Sequence, residues 1–120
     1  MAHSSLSPLR LGFIGGAVTS AIGHTHFNSS RLDGYFRVDC GCFSRTASRN
    51  EETARTYGIP AERTHATWHE LLARERETLD AVVVLTPTPD HREIVIAALE
   101  AGYAVICEKA LALSSADCRA

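Results

Sequence analysis

The chain has 120 residues, enough for one small domain with a single core. Its composition, 45% hydrophobic and 22% charged, is that of an ordinary globular protein. The formal net charge of -2 comes with no basic stripe, which argues against a general nucleic-acid binder, and no apolar run approaches the roughly 20 residues needed to span a bilayer.

In chain order, "MAHSSLSPLR" lacks the basic start and long apolar stretch of a signal peptide, so residues 1–8 read as a short flexible leader before a domain at 9–120. The apolar run at 9–14 predicts a strand that ends at Gly15. "GFIGGAVTSAIGHTH" follows, a strand-to-helix turn in which Ala17 stands where a second spaced glycine would be and the next glycine is Gly23. Residues 35–43 predict a second strand, leading to Ser44 and Arg45. Ser48 and Glu51 predict a capping box on a helix that stops near Gly58. A weaker extended piece spans 63–66, and Thr67 with Glu70 predicts a second capping box. The β-branched run at 79–85 predicts a strand buried on both faces. Thr88 and Pro89 predict a helix start, and Gly102 the stop. Residues 103–107 predict the last strand, followed by Glu108 and Lys109. "LALSSADCRA" reads as a strand exit, a cap at Ser114 or Ser115 and a first helical turn, so the sequence is expected to be a fragment or a truncated protein.

Strands alternating with helices imply parallel β-α-β units. Cys40 and Cys42 would share one strand face, and no second ligand pair stands at a zinc-like spacing near them. The four cysteines therefore read as buried free thiols, with no metal site and a cytoplasmic location.

The turns carry the chemistry. A strand leading into a helix presents backbone N–H groups and a positive dipole end, which suits a pyrophosphate. Gly15 and Gly16 supply the turn, Ser20 and Thr19 offer hydroxyl donors, and Gly23 allows close packing. By itself this glycine pattern fits a plain strand–helix turn equally well. Ser44 and Arg45 stand where an NAD site usually has a carboxylate, while Asp39 lies inside the strand. A hydroxyl followed by a guanidinium suits a 2′-phosphate, favouring NADP ahead of NAD, although Arg45 also reads as a solvated loop residue. "TPTPDH", 86–91, and the Glu108–Lys109 pair fall beyond strand ends, where ligands of open α/β sheets sit.

Together, "GFIGG…SAIGHTH", "YFRVDCGCFSR", "YGIP", "LDAVVVLTPTPDH" and "ALEAGYAVICEKALALS", in this order, resemble the N-terminal domain of the Gfo/Idh/MocA family of NAD(P)-dependent oxidoreductases. The resemblance implies an α/β fold: a Rossmann-like doubly wound parallel sheet in order 3-2-1-4-5, with helices on both faces. It implies that Gly15, Gly16, Ala17, Ser20, Ile22 and Gly23 hold the pyrophosphate, and that Ser44 and Arg45 face the adenosine ribose. It places Thr86, Pro87, Thr88 and His91 near the nicotinamide, and gives Glu108 and Lys109 the first two places of a Glu-Lys-Pro motif whose lysine contacts substrate and nicotinamide. His26 matches a histidine often found after the last glycine. Ala110 departs from the motif's proline. The implied activity is hydride transfer between nicotinamide and a sugar, polyol or related alcohol. A second domain would supply the substrate contacts, usually a catalytic histidine, and a sheet for homo-oligomer formation. The 120 residues alone are expected to show no turnover, and His65 and His69 read as surface residues. Two other readings stand beside this one: a non-catalytic nucleotide-binding or regulatory module, and a remnant that binds nothing.

Overall fold

The computed structural model describes residues 7–120, so most of the expected leader, residues 1–6, lies outside the described residues. β1 (Leu9–Gly15) and β3 (Ala81–Leu85) form the centre of a parallel sheet, flanked by β2 (Phe36–Cys42) and β4 (Ala104–Cys107), in the order β2-β1-β3-β4. The expected order 3-2-1-4-5 keeps its sequence but loses its first member. The piece at 63–66 makes only one parallel bridge, between Gly41 and Thr64, on the far side of β2. Pro60 lacks an N–H, and Ala61–Arg63 coil into a 3₁₀ turn. Too few residues then remain before the helix cap at Thr67 for a ladder to form.

Helices α1 (Ala21–Arg31) and α2 (Ala47–Tyr57) cover one face, where Phe27, Ala54 and Tyr57 pack with Leu11, Phe13, Val83 and Leu85. Helices α3 (Trp68–Arg74) and α4 (His91–Glu100) cover the other, where Leu71, Leu72, Ile94 and Ala98 pack with Ile14, Val82 and Val84. This is strand alternation with both faces buried. β2 departs from it: Val38 joins the first cluster, while Cys40 and Cys42 join the second. The register shifts between Leu11 and Gly12, where β2 advances by two residues, and such a bulge turns the strand over. Cys40 and Cys42 are buried free thiols, as expected; Cys107 is half-buried and Cys118 exposed, contrary to expectation. Burial pushes the Cys42 thiol up to about 11 and the Cys40 thiol higher still.

The caps follow the sequence in part. Thr67 Oγ1 accepts from Glu70 N–H at 3.1 Å, and Ser114 Oγ accepts from Asp117 N–H at 3.2 Å to open α5 (Ser115–Arg119). The capping box at Ser48 and Glu51 does not form, because α2 starts at Ala47 with Thr46 as its cap. Asn50 sets that register: its Oδ1 accepts from Phe43 N–H at 2.8 Å and its Nδ2 donates to His65 O at 2.9 Å. Thr88–Asp90 form a 3₁₀ turn, so α4 begins at His91, two residues after Pro89, the expected first helical position. Among the described residues, no helix is long and apolar enough to cross a membrane.

Candidate functional site

A cleft of about 800 Å³ opens beyond the C-terminal ends of the strands. Gly15, Gly16, Ala17, Ser20 and Ile22 enter it from the β1–α1 turn, and Ser44 and Arg45 from the end of β2. Thr86, Pro87 and Thr88 line it after β3, and Glu108 and Lys109 after β4. Of the residues proposed from sequence, Thr19, Gly23 and His91 do not line it.

The first turn is shaped by glycine. Gly15 and Gly16 hold φ of +87° and +80°. A Cβ on Gly15 would meet the Leu85 carbonyl carbon and the Thr86 nitrogen at 2.8 Å, so β1 and the β3 exit approach each other through it. Residues after Gly16 form a tight loop, closed by Ser20 N–H donating to Ala17 O at 2.8 Å. Ser20 then caps α1, its Oγ accepting from Gly23 N–H at 3.3 Å. Gly23 supports the turn from behind, against Gly16. Two residues missed in the sequence hold the loop to α2: Thr53 Oγ1 accepts from Val18 N–H at 3.0 Å, and Tyr57 donates its hydroxyl to Gly16 O at 3.2 Å. Their spacing of four on one helix face was the available signal.

At the end of β2, Ser44 Oγ accepts from Thr46 N–H at 3.1 Å, and Arg45 Nη2 donates to Asp90 Oδ2 at 3.2 Å. Arg49, Trp68 and Asp90 also line the cleft and were not proposed from sequence. Asp39 lies within β2, as read, where Arg37 and Arg63 flank its carboxylate.

Beyond β3, Thr86 Oγ1 is buried and has no hydrogen-bond partner among the described residues. An unmet hydroxyl beside a cleft is a ready contact for a ligand. His91 is buried instead of facing the cleft, with Nδ1 at 2.7 Å from Ala110 O and Nε2 at 2.7 Å from Thr86 O. It belongs to the loop expected near the nicotinamide, and there it ties the loop after β3 to the loop after β4. Glu108 bonds His26 Nε2 at 2.7 Å and accepts from Lys109 N–H at 3.2 Å. The His26 contact, then the Lys109 amide, hold the Glu108 carboxyl below its ordinary range. The Lys109 side chain is exposed at the rim.

His69 is exposed, as read, but His65, expected at the surface, is only 3% exposed. Its Nε2 donates to Glu75 at 2.8 Å, and Arg63 Nη2 donates to the same carboxylate at 2.8 Å. Cys40, His65 and Glu75 place three ligand-type atoms within 4.8 Å of one another, a grouping that sequence spacing does not reveal. The Arg63 guanidinium on Glu75 makes this a buried ion-pair network with a fixed cation already in it.

Residues 9–120 match a family model described as an oxidoreductase family with an NAD-binding Rossmann fold. An uncharacterized oxidoreductase of Bacillus subtilis is 36% identical over 92% of this chain and 29% of its own length. An inositol 2-dehydrogenase of Azotobacter vinelandii is 34% identical over 92% of this chain and 31% of its own. The crystal structure of an inositol dehydrogenase homolog from Azotobacter vinelandii, complexed with NAD+, superposes with a TM-score of 0.90 at 31% identity, covering 95% of this chain and 30% of that one. The chain thus spans about a third of the length of the relatives it matches.

Proposed function

Because the chain belongs to the Gfo/Idh/MocA oxidoreductase family as its NAD-binding Rossmann domain, we propose that it is the cofactor-binding part of an enzyme that moves a hydride between nicotinamide and a sugar, polyol or related alcohol. The glycine cradle carries this reading. Gly15, Gly16 and Gly23 stand where any Cβ would come within 3 Å of neighbouring atoms, so the turn offers bare backbone to an anion at the start of α1. The Thr86 hydroxyl, without a hydrogen-bond partner among the described residues, supports it from the adjoining β3 exit.

A bound nicotinamide would supply the carbon that accepts or gives the hydride. The chain's own residues bind and orient. Ala17, Ser20 and Ile22 would sit along the pyrophosphate, and Pro87 and Thr88 beside the nicotinamide half. Ser44 and Arg45 would face the adenosine ribose and favour a 2′-phosphate, placing NADP ahead of NAD. Glu108, fixed by His26, receives the Lys109 amide, and Lys109 Nζ would contact a substrate hydroxyl and take part in moving its proton.

Calorimetric titration with NADPH and NADH tests the binding part. Both should bind, with NADPH tighter by about five-fold. Equal affinities or a preference for NADH would remove the role given to Arg45, and no binding of either would remove the whole reading. For Lys109→Ala in the intact enzyme, kcat should fall by about 1,000-fold while the dinucleotide Kd stays within about three-fold. An undiminished kcat would show that Lys109 is not catalytic.

A further inference from the structure

Arg45 follows β2 and Asp90 follows β3, and β1 lies between those strands in the sheet. Their side chains nevertheless meet, Arg45 Nη2 to Asp90 Oδ2 at 3.2 Å, and both residues line the cleft. The contact therefore bridges the cleft above the end of β1. The Arg45 side chain is 90% exposed, so packing does little to fix its guanidinium; the Asp90 side chain, 32% exposed, is the better anchored of the two.

We infer that Asp90 is a specificity-determining residue, which limits the preference for a 2′-phosphorylated dinucleotide by holding Arg45. The inference rests on reading the cleft as a dinucleotide site. The two nicotinamide dinucleotides share a pyrophosphate and differ at the 2′ position, where one carries a phosphate and the other a neutral hydroxyl. Only the phosphate calls on the Arg45 cation. While Asp90 accepts from Nη2, part of the guanidinium's hydrogen-bonding fork is taken and its charge is offset. A 2′-phosphate must either displace the carboxylate or bind beside it, and the neutral hydroxyl faces no such competition. A positioning effect, in which Asp90 would present Arg45 to the phosphate, runs the other way. It depends on one exposed bond, and exposed ion pairs fix geometry weakly. Repulsion between the carboxylate and a phosphate of about two negative charges adds to the competition. Competition therefore decides the sign.

The test is a titration of the protein with NADPH and NADH, comparing the ratio of the two dissociation constants across variants. Asp90→Asn keeps the size of the side chain and removes its charge. It should raise the preference for NADPH about five-fold over the unsubstituted protein. Arg45→Ala should lower that preference, and adding Asp90→Asn to Arg45→Ala should then change it by less than about two-fold. An unchanged or reduced preference in Asp90→Asn overturns the inference while both nucleotides still bind. A full five-fold gain in the double variant also overturns it, since Asp90 would then act without Arg45. Failure of the unsubstituted protein to bind either nucleotide overturns the inference together with the reading beneath it.

Discussion

Gly23→Ala should abolish measurable dinucleotide binding, raising Kd by at least about 100-fold, and should cost about 3 kcal/mol of stability. The added methyl would stand 2.3 Å from Gly16 O, 2.5 Å from its carbonyl carbon and 2.8 Å from its Cα. All three are backbone atoms, so no rotamer change relieves the contact. Either α1 lifts from the sheet or the turn at Gly16 moves. Lifting α1 opens the core around Phe27, and moving the turn strains a residue at φ +80° whose carbonyl accepts from Tyr57. Calorimetry and thermal unfolding read the two effects separately. Gly58→Ala is the control: Gly58 also has a positive φ, +74°, but nothing lies within 4 Å of an added Cβ. It should cost about 1 kcal/mol through the backbone alone and leave binding intact. Gly23→Ala with an unaltered Kd would refute the cradle as the anion site.

The contrast with Ala17 shows what the sequence could and could not reveal. Ala17 lines the cleft in the place where an evenly spaced glycine pattern would have a second glycine. Local patterning found the strand, the turn and the supporting glycine, because a break in periodicity and a φ above zero leave marks in residue type. Alternation of strands and helices implied parallel β-α-β units, while the strand order came from the family resemblance. Residues whose roles depend on distant partners left no such mark. His65 reads as a surface histidine beside a short helix until Glu75, ten residues on, and Cys40, from β2, close around it. His91 carries a motif position, but its two ring nitrogens reach carbonyls of separate loops, one nineteen residues away. Arg49, Trp68 and Asp90 join the cleft because α2, α3 and the β3 exit converge on it. The helix start at Ala47 was displaced from the apparent box at Ser48 by the Asn50 side chain, which bonds across elements. Short-range rules fail where a long-range hydrogen bond outweighs a cap worth about 1 kcal/mol.

The His65–Glu75–Arg63 network gives the other large effect. Glu75→Gln should cost about 3 kcal/mol at pH 7, because it removes the charge that faces a partly buried guanidinium and a buried imidazole. Burial opposes the Glu75 charge, yet bonds from Arg63, Thr78 and His65 outweigh it and hold the carboxyl at about 2. A carboxylate depressed on folding binds its proton more readily in the unfolded chain. Its stabilisation is therefore complete above the ordinary glutamate range near 4.5 and fades as the pH falls towards 2. The difference in unfolding free energy between the unsubstituted protein and Glu75→Gln should shrink over that window, from about 3 kcal/mol to near zero. Urea unfolding at a series of pH values measures it. Asp39, 3.8 Å from Arg63, and Glu70, 3.8 Å from His65, are the other carboxylates beside the network and are present in both proteins. A gap that stays constant down to pH 2 would mean that the Glu75 charge does not stabilise the fold. The network also reaches the cleft: His65 O receives Asn50 Nδ2, Asn50 Oδ1 receives Phe43 N–H, and Ser44 and Arg45 follow directly. Loosening it should therefore weaken the positioning of the β2 exit at the cofactor cleft as well as the fold.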